Sequence, residues 1–146
     1  SFGKEWMPKR VKDNGVDYEN CPELDIREYI YDMPTVMAAA DVVIGRAGSA
    51  TCNEIGATGV PCILIPSPNV TNNHQEKNAR ILEQRGCAVV LTEGEDMGRK
   101  LYDAVQELLN DREKRSAMSA SLRQMVKLDC AERMCDIIEQ LAHKAN

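Results

Sequence analysis

Apolar residues fall along this chain in short blocks separated by amphipathic runs. Val42–Ile44, Cys62–Ile65 and Cys87–Leu91 are continuous apolar stretches, as in strands buried on both faces of a sheet. Between them the spacing is helical. Met33–Ala40 reads as a helix, with Pro34 tolerated in its first turn. A second helix is expected from about Ser49 to Thr58, stopping at Gly59-Val60-Pro61, and a third over His74–Arg85, stopped by Gly86. A polar loop, Ser67–Asn73, precedes that third helix. Nearer the start, Lys4–Lys12 reads as a short helix closed by Asn14-Gly15, and Ile26–Ile30 as a short strand. After Thr92 the pattern is helical to the end, roughly Asp96–Asn110, Asp111–Lys127 and Ala131–Lys144. Strands alternating with helices predict the α/β class, with a parallel Rossmann-like sheet and right-handed crossovers. There is no internal repeat and no low-complexity linker.

In such sheets ligands bind outside the carboxyl ends of the strands. That rule places Gly45–Ser49, Pro66–Asn73 and Thr92–Asp96 on one rim. Gly45 and Gly48 permit close approach of the backbone to a ligand. The helix that follows offers unpaired N–H groups and the positive end of its dipole, which suit a phosphate. Ser49 and Thr51 add hydroxyl donors. A tight turn with Ser49 as N-cap explains the same residues equally well. Glu54 sits near the end of the second turn among small and apolar neighbours. Its carboxylate can accept from vicinal hydroxyls, although a lone glutamate is more often a solvated surface group. Gln75 and Asn78 share a helix face at i, i+3 and can both donate and accept. The alternative for that segment is a capping arrangement, with Asn73 as N-cap and Glu76 three residues on.

Composition narrows the classes. At 146 residues the length fits about one domain, and a 43% hydrophobic share supports an ordinary core. Aromatics at 4% provide no stacking platform, and a net charge of −5 opposes binding to a phosphate backbone, so no nucleic-acid partner is expected. No apolar run is long enough to span a membrane, and SFGKEWMPKR lacks the apolar core of a signal peptide. The 6 cysteines form no C-x-x-C pair and only 2 histidines accompany them, so no zinc site is expected. They read as reduced thiols, with Cys62 and Cys87 buried in strands. No Asp-x-Asp metal motif occurs, and no cofactor is expected.

The segments RAGSATCNE (Arg46–Glu54) and GVPCILIPSPNVTNNHQEKNA (Gly59–Ala79) resemble the donor-binding half of the MurG family of glycosyltransferases. The likeness extends upstream through REYIYDMPTVMAAADVVIGRAGS and downstream to GCAVVLTEGE. It covers about residues 25–110 well and the rest loosely. It implies a GT-B architecture, two Rossmann-like domains with the active site in the cleft between them. Residues 1–146 would then be a truncated C-terminal UDP-GlcNAc-binding domain, with its core at about 25–110 and C-terminal helices at about 111–144.

By that resemblance the backbone of Ile30 meets uracil, and Gly48, Ser49, Ala50 and Thr51 face the diphosphate and sugar. Glu54 holds the ribose hydroxyls, and Gln75 and Asn78 contact GlcNAc. Arg46 supports the loop or touches phosphate, and His74 is a polar helix-start residue. No catalytic residue is expected within this piece. The general base and the site for the lipid I acceptor belong to the family's N-terminal domain, so the piece alone is expected to be inactive. The implied reaction is an inverting, metal-free transfer of GlcNAc from UDP-GlcNAc to lipid I, making lipid II for peptidoglycan. It implies a hexosyltransferase of cell wall biogenesis, tied to cell shape, cell division and the cell cycle. Such an enzyme is cytoplasmic and peripheral on the inner face of the bacterial cell membrane. Two alternatives stand beside it: a standalone UDP-sugar-binding subunit that needs a separate acceptor-binding partner, or another GT-B relative such as a UDP-GlcNAc 2-epimerase. NHQEKNA favours the MurG type. The family's sheet order leaves Val42–Ile44 with an open edge, so self-association of the piece is expected.

Overall fold

The computed structural model describes residues 7–126 and 129–144. They fall into two compact units, one ending at Met33 and the other beginning at Pro34. In the first, α1 (Met7–Asp13) is closed by Asn14, whose side-chain amide donates to Arg10 O at 2.7 Å. The start of the expected Lys4–Lys12 helix lies outside the described residues. A single 3-10 turn follows at Tyr18–Asn20.

The expected Ile26–Ile30 strand does not form. The sheet has no strand beside it among the described residues, and an extended segment without a ladder leaves its backbone groups to water. Local contacts take over. Arg27 clasps Asp25 through two nitrogens, at 2.9 and 2.5 Å, and the Tyr29 and Tyr31 rings meet edge-on with centroids 4.8 Å apart.

The second unit is built on a parallel three-stranded sheet in the order β1 (Val43–Gly45), β2 (Cys62–Leu64), β3 (Val89–Val90). Val43 pairs with Cys62, Gly45 with Leu64 and Ile63 with Val89. The central strand is fully buried, as its unbroken apolar run requires. Desolvation pushes the Cys62 thiol up to about 12, so it serves as a small buried hydrophobe. Cys87 is buried too, but it precedes the strand. Its N–H bonds back to Leu82 O at 2.8 Å and finishes the preceding helix, which leaves only two residues for β3. Among the described residues β1 pairs on one side only, and Ile44 is 47% exposed there.

The helices of this unit are α2 (Met33–Ala39), α3 (Ser49–Thr58), α4 (His74–Gln84), α5 (Met97–Asn110), α6 (Arg112–Met125) and α7 (Cys130–Lys144). They match the periodicity closely. Lys127, expected to end α6, lies outside the described residues. Gly59 closes α3 in the left-handed region at φ 68°, with its N–H on Ile55 O at 2.8 Å. Asp111 caps α6 by accepting from the Lys114 N–H at 2.8 Å. The core joins Ile55 of α3, Ile63 and Leu64 of β2, Leu108 of α5 and Leu122 of α6, all fully buried. Gly56 of α3 is buried against Val126, so close that a Cβ there would overlap the valine methyl.

Candidate functional site

The three loops at the carboxyl ends of β1, β2 and β3 are tied into one rim by side chains. Arg46 follows β1 directly. Its Nη1 donates to Ile65 O, just past β2, at 3.1 Å, and pairs with Glu93, past β3. Asn78 of α4 donates from Nδ2 to Ala47 O at 3.1 Å, and Gln75 Oε1 accepts from the Ser67 N–H at 2.9 Å. Sequence periodicity placed these loops on one rim, and the hydrogen bonds make that rim a connected surface.

The start of α3 is its most open part. Gly48 is the N-cap, extended at φ −69°, ψ 152°, and no side chain caps the helix. Ser49 is therefore the first helical residue and not the cap, which removes the capping explanation for its hydroxyl. The first helical bond is Cys52 N–H to Gly48 O at 2.9 Å. The N–H groups of Ser49, Ala50 and Thr51 come before it and have no partner of the helical kind. Gly48 has an ordinary φ, and a Cβ built on it would meet nothing within 4 Å. Neither backbone strain nor packing within the chain demands glycine there.

One turn beyond Thr51, the exposed Glu54 carboxylate takes no hydrogen bond or ion pair among the described residues. The same holds for the side-chain hydroxyls of Ser49 and Thr51.

α4 starts differently. Asn72 and Asn73 are both left-handed, at φ 56° and 53°, a conformation asparagine tolerates better than most residues. Asn73 occupies the N-cap position, but its side chain makes no capping bond. The alternative capping arrangement does not form: Asn73 sits in the left-handed region, not the extended backbone of a usual N-cap. Glu76 instead accepts from Arg80 at 2.7 Å. His74 uses Nδ1 against Thr71 O at 2.9 Å. A carbonyl only accepts, so that nitrogen carries the proton, and the ring serves as a brace for the turn.

Gln75 and Asn78 are each half engaged. The Gln75 oxygen is used internally, which leaves its NH2 to donate outward. The Asn78 NH2 is used internally, which leaves its oxygen to accept. The structure thus ties Arg46, Gln75 and Asn78 to the rim, with Gly48, Ser49, Ala50 and Thr51 at the start of α3, Glu54 one turn further along that helix, and His74 at the turn before Gln75. Ile30 belongs to the other compact unit, half-buried in an irregular segment between Tyr29 and Tyr31. Glu93 is the residue that reading along the chain missed. Its only signal is position, just past a strand that shares a sheet with the strand before Arg46.

Chemically, the rim offers amide donors at a positive helix end, two hydroxyls, one open carboxylate and two half-free amides. That set can hold an anion beside a polyol. Among the described residues no cluster of His, Cys, Asp or Glu could hold a metal ion, and no helix is long and apolar enough to cross a membrane.

The chain resembles known proteins in sequence and in fold. The chain is 46% identical over 120 residues to the "UDP-N-acetylglucosamine--N-acetylmuramyl-(pentapeptide) pyrophosphoryl-undecaprenol N-acetylglucosamine transferase" of Acetivibrio thermocellus, covering 82% of this chain and 32% of that one. The protein of the same name from Listeria welshimeri is 42% identical over 130 residues, covering 89% and 36%. The chain therefore spans about a third of the length of these relatives. The crystal structure of Acinetobacter baumannii MurG aligns with a TM-score of 0.71 at 26% identity, over 80% of this chain and 33% of that one. The glycotransferase of kitacinnamycin shares the fold, with a TM-score of 0.68 at 24% identity over 88% of this chain and 32% of that one. The family model described as "Glycosyltransferase family 28 C-terminal domain" matches residues 1–134, and the chain belongs to that family.

Proposed function

We propose that this chain is the donor-binding half of an inverting N-acetylglucosaminyltransferase, which passes GlcNAc from UDP-GlcNAc to C4 of MurNAc in lipid I and so makes lipid II. The observation that carries the reading is the uncapped first turn of α3 with Glu54, unpartnered among the described residues, one turn on. One helix thereby presents an anion site beside a diol site. The Gly48–Thr51 turn takes the diphosphate and sugar, and Glu54 takes the ribose hydroxyls. The outward Gln75 NH2 and Asn78 oxygen take hydroxyls of GlcNAc. The backbone of Ile30 reads uracil, Arg46 supports the turn, and His74 braces the start of α4.

In the displacement, negative charge grows on the departing UDP. Fixed amides and the helix dipole are already aimed at that charge, so they stabilise it without reorganising. Activation of the acceptor hydroxyl and binding of lipid I belong to the other domain of the longer protein. The names of the curated relatives support this substrate pair. The enzyme works in the cytoplasm, peripheral on the inner face of the bacterial cell membrane, in cell wall biogenesis and through it in cell shape and division. The open edge of β1 supports self-association of the isolated chain.

Calorimetry tests the reading. UDP and UDP-GlcNAc bind more tightly than ADP or GDP, and equal affinities would remove the uracil assignment. The 146-residue chain alone transfers no GlcNAc to a lipid I analogue. Turnover by the purified chain would overturn its assignment as half of a site.

A further inference from the structure

Arg46 lies two residues before the N-cap of α3, and its guanidinium bridges all three strand ends. Its bond to Ile65 O crosses the end of β2, and its pairing with Glu93 reaches the loop after β3. Beneath it a shallow cleft is lined by Gly45, Ile65, Glu93, Met97 and Leu101. The loop carrying Glu93 also holds Glu95 and Asp96, so its own field repels a diphosphate.

Arg46 has two uses open to it, and they predict opposite signs. If it reaches the diphosphate directly, Glu93 competes with the ligand for it. If it braces the turn, Glu93 holds it in place and takes up its charge, and the amides of residues 49–51 hold the diphosphate. The bond to Ile65 O decides between them. It uses the same Nη1 that pairs with Glu93 and points the guanidinium along the sheet end toward β3, which suits a brace between the strand ends.

We infer that Glu93 is a positioning residue for the donor site, acting through Arg46 to fix the Gly45–Gly48 turn beneath the first amides of α3. This rests on the donor reading above. Side-chain exposures of 53% for Arg46 and 41% for Glu93 mean that the pair adds little to global stability. A role in placing the turn is therefore separable from a role in folding.

The test compares the wild type with Glu93→Gln and Glu93→Asp. Calorimetry uses UDP, UDP-GlcNAc and uridine, with amide exchange followed at Arg46, Gly48 and Ile65. Glu93→Gln weakens UDP and UDP-GlcNAc about three- to tenfold. It leaves uridine affinity and the melting midpoint unchanged and speeds exchange in the turn. Glu93→Asp keeps the charge and recovers part of the loss. Tighter UDP binding by Glu93→Gln would overturn the inference and make Arg46 a direct phosphate ligand held back by Glu93. Unchanged affinity would overturn it as well. If the wild type binds none of the three ligands, the donor reading fails, and exchange alone judges the brace: equal rates in wild type and Glu93→Gln would refute it.

Discussion

The starts of α3 and α4 are neighbours, joined by the bond from Asn78 to Ala47 O, and they are built in opposite ways. α3 begins on an extended glycine, with no capping side chain and with Ser49, Thr51 and Glu54 unpartnered among the described residues. α4 begins on two left-handed asparagines, with His74, Gln75 and Asn78 each bonded to a backbone group of a loop. The polar groups of one start are open, and those of the other are engaged in holding loops still. Side chains of similar polarity thus do different work a few ångströms apart. The difference is fixed by whether the fold has already satisfied them, and the braced start supplies the order that the open start needs.

Substitutions can break that contrast or sharpen it. The largest effect is expected at Glu54. Glu54→Ala should lose about 1.5–3 kcal/mol of UDP-GlcNAc affinity, the range for hydrogen bonds to a charged group. The exposed, unpartnered side chain should leave stability within about 0.5 kcal/mol. A matching loss in the melting transition would show that Glu54 is structural and that the open start is not open.

Next comes a control away from both starts. Asp111→Ala removes the cap of α6 and should cost about 0.5–2 kcal/mol in denaturant unfolding, with donor affinity unmoved. Asn78→Ala should fall between these two behaviours. Losing the tether to Ala47 should cost about 0.5–1.5 kcal/mol of stability, and donor affinity should fall with it. A change in only one of the two would place Asn78 wholly on one side of the contrast. The smallest shift is expected at Gly48. Gly48→Ala should move stability by no more than about 0.5 kcal/mol, since the ordinary φ and clear space that favour alanine are offset by its poor fit at an N-cap. Donor titration should weaken all the same, because the added methyl stands over the diphosphate amides. Unweakened binding would mean that the ligand keeps its distance from this turn.

How much of this was legible along the chain varied with how local each cause is. α3 could be bounded to the residue because Gly48, Ser49 and the Gly59-Val60-Pro61 stop all lie within one short window, and Gly59 does take the left-handed φ of a helix end. The central strand was legible because Cys62–Ile65 is apolar without interruption. Ile26–Ile30 was misread because strand propensity says nothing about whether a neighbour exists to pair with. Cys87 was placed in a strand because local pattern does not show that its N–H is already committed to Leu82 O. Of the candidate site residues, those on α3 and α4 were proposed from spacing and from family likeness. The half-used state of Gln75 and Asn78 was not, since it depends on Ser67 and Ala47 folding against them. Glu93 escaped for the same reason: 47 positions separate it from Arg46, and only the sheet brings them together.

Gly56 gives the open helix a hidden mechanical property. α3 has 10 residues, hence about 15 Å of stiff rod, with the open amides at one end and a bare glycine seated on Val126 near the other. A rod so seated has a fulcrum. A side chain at position 56 must displace either Val126 or the rod itself, and a tilt of the rod swings the amides of residues 49–51 together. Under the proposed donor reading, the far face of the helix is therefore a tuning point for donor affinity. Changes that never approach the nucleotide can adjust it from behind, through leverage and not through contact.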